Sequence, residues 1–262
     1  MPEGDIVWLT AQRLHRALAG RALTRSDFRV PRLATTDLRG REVHEALACG
    51  KHLLIRVEGE LTVHTHLRMD GSWRIRPAGP FSPDHRLRLV LANTEWQALG
   101  YSLGVVEMLR TSDEDRAVGH LGPDLLGPGW DPAEAVRRLR EQPERAIGEA
   151  LLDQTRLAGI GNLYKAEVLF LRGVHPWRPT GAIADLENLV ELAHRLLDAN
   201  KGRYDQVTTG VDRRGREHWV YGRAGRPCRR CGTPIERGDQ GPGPYDRITF
   251  WCPQCQPAAS AP

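Results

Sequence analysis

Four of the five cysteines stand in two tight pairs near the C-terminus, Cys228-x2-Cys231 and Cys252-x2-Cys255, with twenty residues between them. Each pair can place two thiolates on one tetrahedral ion at about 2.3 Å, and a hairpin this short holds no core without one. Four protein ligands leave no position for water, so the spacing predicts one structural Zn2+ ion and not a catalytic metal. Redox pairs or disulfides remain open to the same pattern; Cys49 is left over. Between the pairs, Arg247 follows a polar turn at 241–246 and precedes an apolar run at 248–251. At a ribbon tip an arginine can fork onto a phosphate, although an ordinary exposed arginine has the same look.

The other chemical feature is the opening Met1-Pro2-Glu3-Gly4-Asp5. Removal of the methionine would leave Pro2 as a free secondary amine. An α-amino group titrates at about 8 against about 10.4 for lysine, so near neutrality it is unprotonated up to roughly a few hundred times more often. Its attack on an aldehyde-like sugar carbon gives an iminium that cannot shed its charge by losing an N–H proton. That electron sink acidifies the C2′ hydrogen, whose loss expels the 3′ phosphate. Glu3, next to the amine, is placed to shuttle protons. Without context, Pro-Glu is also a common start to a cytosolic protein.

These residues need elements to hold them. Ile6, Leu9, Arg13 and Ala17 mark one face of a first helix, with Val7, Leu14 and Leu18 beside it and Gly20 as its stop. From 23 to about 110, short alternating runs at 53–57, 61–64, 73–76 and 87–91 predict an antiparallel sandwich or barrel. Residues 119–132 hold four glycines and three prolines, which marks a linker between domains. Helical periodicity follows at 133–140, 145–157, 162–171 and 185–200, and then a polar stretch, 201–217, without periodicity. The expected organisation is an α+β chain of two domains: an N-terminal antiparallel β-sandwich with an N-terminal helix (1–118), the linker (119–132), a helical part with its following loop (133–217) and the cysteine finger (218–262).

Lys and Arg exceed Asp and Glu by 37 to 33, a mild lean toward an anionic partner. The segment 201–231 concentrates nine basic residues against three acidic ones, either a phosphate-binding surface or a solvated face. No apolar run approaches the roughly 20 residues of a membrane span and no signal peptide is evident, so a cytoplasmic protein with no membrane partner is expected.

In four motifs the chain resembles the formamidopyrimidine-DNA glycosylase and endonuclease VIII (Fpg/Nei) family. They are Pro2-Glu3-Gly4, Gly50-Lys51-His52-Leu53-Leu54, the run from Leu151-Leu152-Asp153-Gln154 to Gly159-Ile160-Gly161-Asn162, and the cysteine ribbon, in order over essentially the whole length. The resemblance implies a bifunctional base-excision repair enzyme, a DNA glycosylase and AP lyase, acting on damaged duplex or single-stranded DNA as a monomer. Pro2 then matches the nucleophile, Glu3 its acid-base partner, and Lys51 a lysine that contacts phosphate and assists as a general acid. The glycine-interrupted helices match a helix-two-turn-helix whose amides and Asn162 grip phosphates. His66-Leu67-Arg68-Met69-Asp70-Gly71 matches an intercalation loop, with Met69 filling the gap left by an extruded nucleotide; core filler is the plain alternative for a methionine. Arg247 matches a phosphate-holding ribbon arginine. Glu167, three residues after Tyr164 on an apolar helix, reads as a structural hydrogen-bonding residue.

Two departures stand out. The family pattern has a glutamate where this chain has Ile6, with Asp5 one place earlier. The segment Leu-Gly-Tyr-Ser-Leu-Gly-Val-Val-Glu at 99–107 lacks the Arg and Phe with which 8-oxoguanine-type enzymes probe the opposite strand, which tilts the expected substrate toward oxidised pyrimidines and abasic sites. The Ile6 departure also leaves open a non-catalytic relative that only binds damaged or single-stranded DNA; a zinc-ribbon RNA or transcription factor is a more distant alternative.

Overall fold

The computed structural model describes residues 2–241 and 247–258. The chain divides into two compact units, Met1–His120 and Leu121–Pro262.

The first unit opens with helix α1, Gly4–Leu18, whose N-cap is Glu3 in extended conformation. Its buried stripe runs Val7, Ala11, Leu14 and Leu18. The stripe expected from sequence is rotated: Ala17 is buried, but Ile6, Leu9 and Arg13 are only half-buried. Both stripes carry apolar residues, and the one that wins has no guanidinium to desolvate.

Nine strands follow: β1 Arg21–Ala22, β2 Arg25–Phe28, β3 Glu42–Cys49, β4 His52–Val57, β5 Leu61–His66, β6 Ser72–Pro77, β7 Leu87–Ala92, β8 Trp96–Tyr101 and β9 Val105–Arg110. They form two antiparallel sheets, β1-β3-β4-β5-β9 and β2-β7-β8-β6. One core joins the sheets and α1: Leu53, Ile55, Val57 and Val63 come from the first sheet, Phe28, Leu89, Leu91 and Ala98 from the second, and Val7 and Leu14 from the helix. Because side chains alternate along a strand, sending Leu53, Ile55 and Val57 inward sends His52, Leu54 and Arg56 to the opposite face. A short helix, α2 Asp115–Val118, ends the unit.

The second unit contains α3 Pro132–Arg140, α4 Ile147–Ala150, α5 Asn162–Leu171 and α6 Leu186–Asn200, then the hairpin β10 Glu236–Gln240 and β11 Arg247–Trp251. The start of α3 follows from sequence: Asp131 caps the amides of Ala133 and Glu134 at 3.0 and 3.1 Å, and proline takes the first turn. The helix expected over 145–157 is cut to the single turn of α4. Beyond it the Gln154 side chain accepts from the Gly159 amide at 3.1 Å and donates to the carbonyls of Leu152 and Ile160, while Gly159 sits at φ +97°. A side chain thus replaces the helical ladder, giving two tight turns before α5.

Helix α5 is buried from Asn162 to Phe170. Leu163, Tyr164, Val168 and Leu169 join a core with α3 and α6, whereas Ala166 and Phe170 pack against Val220, Ile235, Cys228 and Cys252. One helix therefore anchors both the bundle and the cysteine module. Among the described residues no helix is long and apolar enough to cross a membrane.

Candidate functional site

Pro2 is half-buried, and Glu3 and Asp5 beside it are fully buried at the amino end of α1. The helix dipole and its unused amides favour carboxylates there. Asp5 Oδ1 accepts from the Ile6 amide at 2.8 Å, so this carboxylate is turned onto the helix's first turn. The Ile6 side chain is half-buried.

Lys51 occupies the tip of the hairpin joining β3 and β4. Cys49 pairs with His52, leaving Gly50 and Lys51 as a two-residue turn, and Gly50 takes φ +56°. A turn this tight needs positive φ at its first central residue, which is why glycine precedes the lysine.

On β4 and β5, next to this turn, stand three histidines to which the motif reading gives no role. His52 faces His66 across β4 and β5, with ring centroids 4.8 Å apart, and His52 stacks on His64 at 5.1 Å. Burial, then the charges of His66 and its other neighbours, Lys51 included, hold His52 down at about 3; burial and Lys51 hold His66 at about 4. Both rings are therefore neutral near pH 7. The signal for them was present: His64-x-His66 alternates on a strand whose other residues fit a buried sheet.

Met69 lies in the loop between β5 and β6 and is 60% exposed, so it fills no core. The loop is tightly built beneath it. Arg68 takes φ +51°, its amide donates to His66 Nδ1 at 2.9 Å, and the Gly71 amide donates to the Leu67 carbonyl at 2.9 Å. A Cβ on Gly71 would fall 2.4 Å from that carbonyl oxygen, and one on Gly104 would fall 2.5 Å from the Arg68 side chain. Both glycines are required by close approach, and together they support a left-handed Arg68 that presents Met69 outward.

In the second unit Asn162 is the first residue of α5, and its Nδ2 donates to the Ile248 carbonyl on β11 at 2.7 Å. Three residues on, the fully buried Lys165 donates from Nζ to Thr249 Oγ1 at 2.5 Å. These bonds lock the helix start to the ribbon strand that begins with the exposed Arg247. Sequence reasoning missed Lys165, which sits on a helix read as apolar. The turn at 242–246 ahead of Arg247 lies outside the described residues.

Glu167 is fully buried and accepts from the amides of Trp219, Val220 and Tyr221 at 2.7, 2.8 and 2.8 Å and from the Thr208 hydroxyl. It is a structural clasp between α5 and the chain entering the cysteine module. The arginines nearby are partly spent in the same way. Arg229 donates to the carbonyls of His218 and Gly215, Arg223 donates to those of Trp219 and Pro227, and Arg230 lies 4.5 Å from the Phe170 ring centroid. These three arginines are thus committed in part to the protein's own carbonyls and to one aromatic ring.

The four cysteines Cys228, Cys231, Cys252 and Cys255 bring their sulfurs together within 4.8 Å of one another. Cys228 and Cys255 are 4.0 Å apart and Cys231 and Cys252 are 3.5 Å apart, far longer than a disulfide at about 2.05 Å. Thiolates at about 2.3 Å from one tetrahedral ion stand about 3.8 Å apart, so the geometry fits a shared metal.

Residues 1–101 match the formamidopyrimidine-DNA glycosylase N-terminal domain, and residues 121–199 match the formamidopyrimidine-DNA glycosylase H2TH domain. A Streptomyces coelicolor protein named probable endonuclease 8 2 is 58% identical, spanning 100% of this chain and 96% of its own length. The DNA-(apurinic or apyrimidinic site) lyase Nei2 of Mycolicibacterium smegmatis is 48% identical over 99% of this chain and 100% of its own. A structure of Lactococcus lactis Fpg in complex with abasic-site DNA superposes with a TM-score of 0.82 at 24% identity, covering 98% of this chain and 100% of the other.

Proposed function

This chain belongs to the formamidopyrimidine-DNA glycosylase family, and from that premise we propose that it is a bifunctional DNA glycosylase and AP lyase of base excision repair, on the endonuclease VIII side of the family. The observation that carries this is full-length similarity to proteins named endonuclease 8 and AP lyase. The site residues of both units support it.

With Met1 removed, the Pro2 nitrogen attacks C1′ of the damaged nucleotide. Its lone pair forms the N–C bond while the glycosidic bond breaks and the base leaves with a proton. Opening of the sugar gives the iminium. Loss of the C2′ proton then drives electrons toward the iminium nitrogen and expels the 3′ phosphate. Glu3, buried beside Pro2, exchanges protons with the sugar. Lys51 at its hairpin tip, with neutral His66 opposite His52, receives a phosphate near the lesion. Met69 enters the stack in place of the extruded nucleotide, offsetting an unstacking cost of a few kcal/mol. In the second unit, Asn162, the amino end of α5 and Arg247 hold flanking phosphates.

One zinc ion held by Cys228, Cys231, Cys252 and Cys255 supplies only a rigid crosslink, since all four ligands come from protein. We assign residues 1–118 to a catalytic domain, 119–132 to a linker, 133–217 to the helix-two-turn-helix with its loop, and 218–262 to the zinc ribbon. Oxidised pyrimidines and abasic sites are the proposed substrates, and the working form is a cytoplasmic monomer.

Borohydride reduction on abasic-site DNA tests the chemistry. The processed protein should become covalently linked to DNA, and a retained N-terminal tag should abolish the link. Processed wild-type protein that binds but never traps would instead be a damaged-DNA binder.

A further inference from the structure

The outer face of the five-stranded sheet carries a continuous line of hydrogen bonds. Strand pairing sets His52 opposite His66 and Glu107 opposite His64, so all four side chains share that face. His64 Nδ1 lies 3.0 Å from Glu107 Oε2, and His64 Nε2 lies 2.8 Å from His52 Nδ1. An ionised carboxylate only accepts, so the hydrogen between His64 and Glu107 belongs to His64 Nδ1. The line requires the hydrogen between the two rings to sit on His52 Nδ1, with His64 Nε2 accepting, so that His52 Nε2 keeps its lone pair. His64 is 3% exposed whereas the Glu107 side chain is 54% exposed, so the line passes through a buried ring and reaches solvent at Glu107.

Its other end, His52, is beside Lys51. Around His52 stand Lys51, Cys49 across β3, His66 across β5, and His120, whose ring centroid is 6.1 Å away; Arg68 faces His66. Further along the face Arg56 is occupied by Glu45 at 2.7 Å and Glu114 at 2.6 Å. Burial and cationic neighbours keep the His52 ring neutral, with a lone pair available.

We propose that His52, His64 and Glu107 form a proton line that drains the Lys51 side of the site to solvent during strand cleavage, a role that rests on the lyase function above. As the C2′–H bond breaks and its electron pair expels the 3′ phosphate, the proton passes, directly or through water, to His52 Nε2. The His52 Nδ1–H bond then breaks as His64 Nε2–H forms, and His64 Nδ1–H breaks as Glu107 Oε2–H forms. The exposed carboxylic acid releases the proton to water. Once the product has left, His52 Nε2–H passes to water as Glu107 takes a proton back from solvent, and the reverse transfers restore the starting tautomers. His64 and Glu107 act through His52 and are positioning and relay residues.

The test uses processed, metal-loaded, full-length protein and a duplex with a preformed abasic site, following strand cleavage and borohydride-trapped adduct in parallel from pH 5.5 to 9. Glu107→Gln can still accept from His64 Nδ1–H but cannot take the proton. It should slow cleavage about tenfold near neutrality while the trapped adduct accumulates, with the deficit shrinking as pH rises. His64→Gly should be slow and should recover when free imidazole is added. A Glu107→Gln protein matching wild type at every pH, or a folded His64→Gly protein deaf to imidazole, overturns the relay. Absence of any trapped adduct in wild type would sink the lyase function itself.

Discussion

Replacing Glu167 by glutamine would change one oxygen into an amide nitrogen inside a pocket built for acceptors. Oε1 receives the amides of Val220 and Tyr221, and Oε2 receives the amide of Trp219 and the Thr208 hydroxyl. The new NH2 group meets backbone donors in either orientation; at best the Thr208 hydroxyl turns to accept, and one buried N–H loses its partner. Stranding such a group costs about 1–3 kcal/mol, and the surviving bonds lose their charge assistance, about 1 kcal/mol more. A destabilisation of about 3 kcal/mol corresponds to roughly 6–12 °C in Tm for a chain of this size. Thermal melts followed by near-UV circular dichroism, with urea midpoints as a check, would measure it. A shift below about 2 °C would refute the clasp. Because Glu167 is assigned no chemistry, a folded Glu167→Gln protein at low temperature should still form the trapped adduct, and its loss there would place Glu167 in the reaction instead.

Dialysis against a strong chelator should release one zinc per chain, measured by metal analysis, and unfold the ribbon. Cys231→Ser should weaken DNA binding through displacement of Arg247, and a fully folded, metal-free ribbon would contradict the structural role. Met69→Ala should reduce cleavage of duplex lesions more than cleavage of the same lesion in single strands, because only a duplex must be restacked; equal losses would remove the wedge. The neutral histidines give an acid limb to stability. Their folded values near 3 and 4 lie below about 6.5 in the unfolded chain, so below that pH the unfolded state binds more protons and stability falls toward pH 4. The ceiling of about 1.4 kcal/mol per pH unit for each ring is reduced by screening, since both are only half-buried. Urea midpoints at pH 7 and 5 should diverge less in His52→Gln than in wild type, and an identical divergence would argue against a neutral His52.

The amino-acid sequence by itself determined the parts whose causes are local. Cysteine spacing, the Gly50-Lys51 turn, the Asp131 cap and period-two alternation each specify geometry within a few bonds, and the structure forms a hairpin, a helix and sheets at those places. The likeness of four ordered motifs was enough to identify the family. What tertiary structure decided were the choices between locally equivalent options. Two apolar stripes on α1 competed, and packing against the sheets selected the one with no arginine. Periodicity over 145–157 favoured a long helix, and the Gln154 side chain replaced its ladder with turns. The histidine line needed strand register, since His52, His64 and Glu107 are far apart in sequence and meet only because β4, β5 and β9 pair in that order. The fates of Lys165 and Arg229 were likewise invisible, because a charged side chain reveals whether it faces water or a buried carbonyl only when the chain around it has folded.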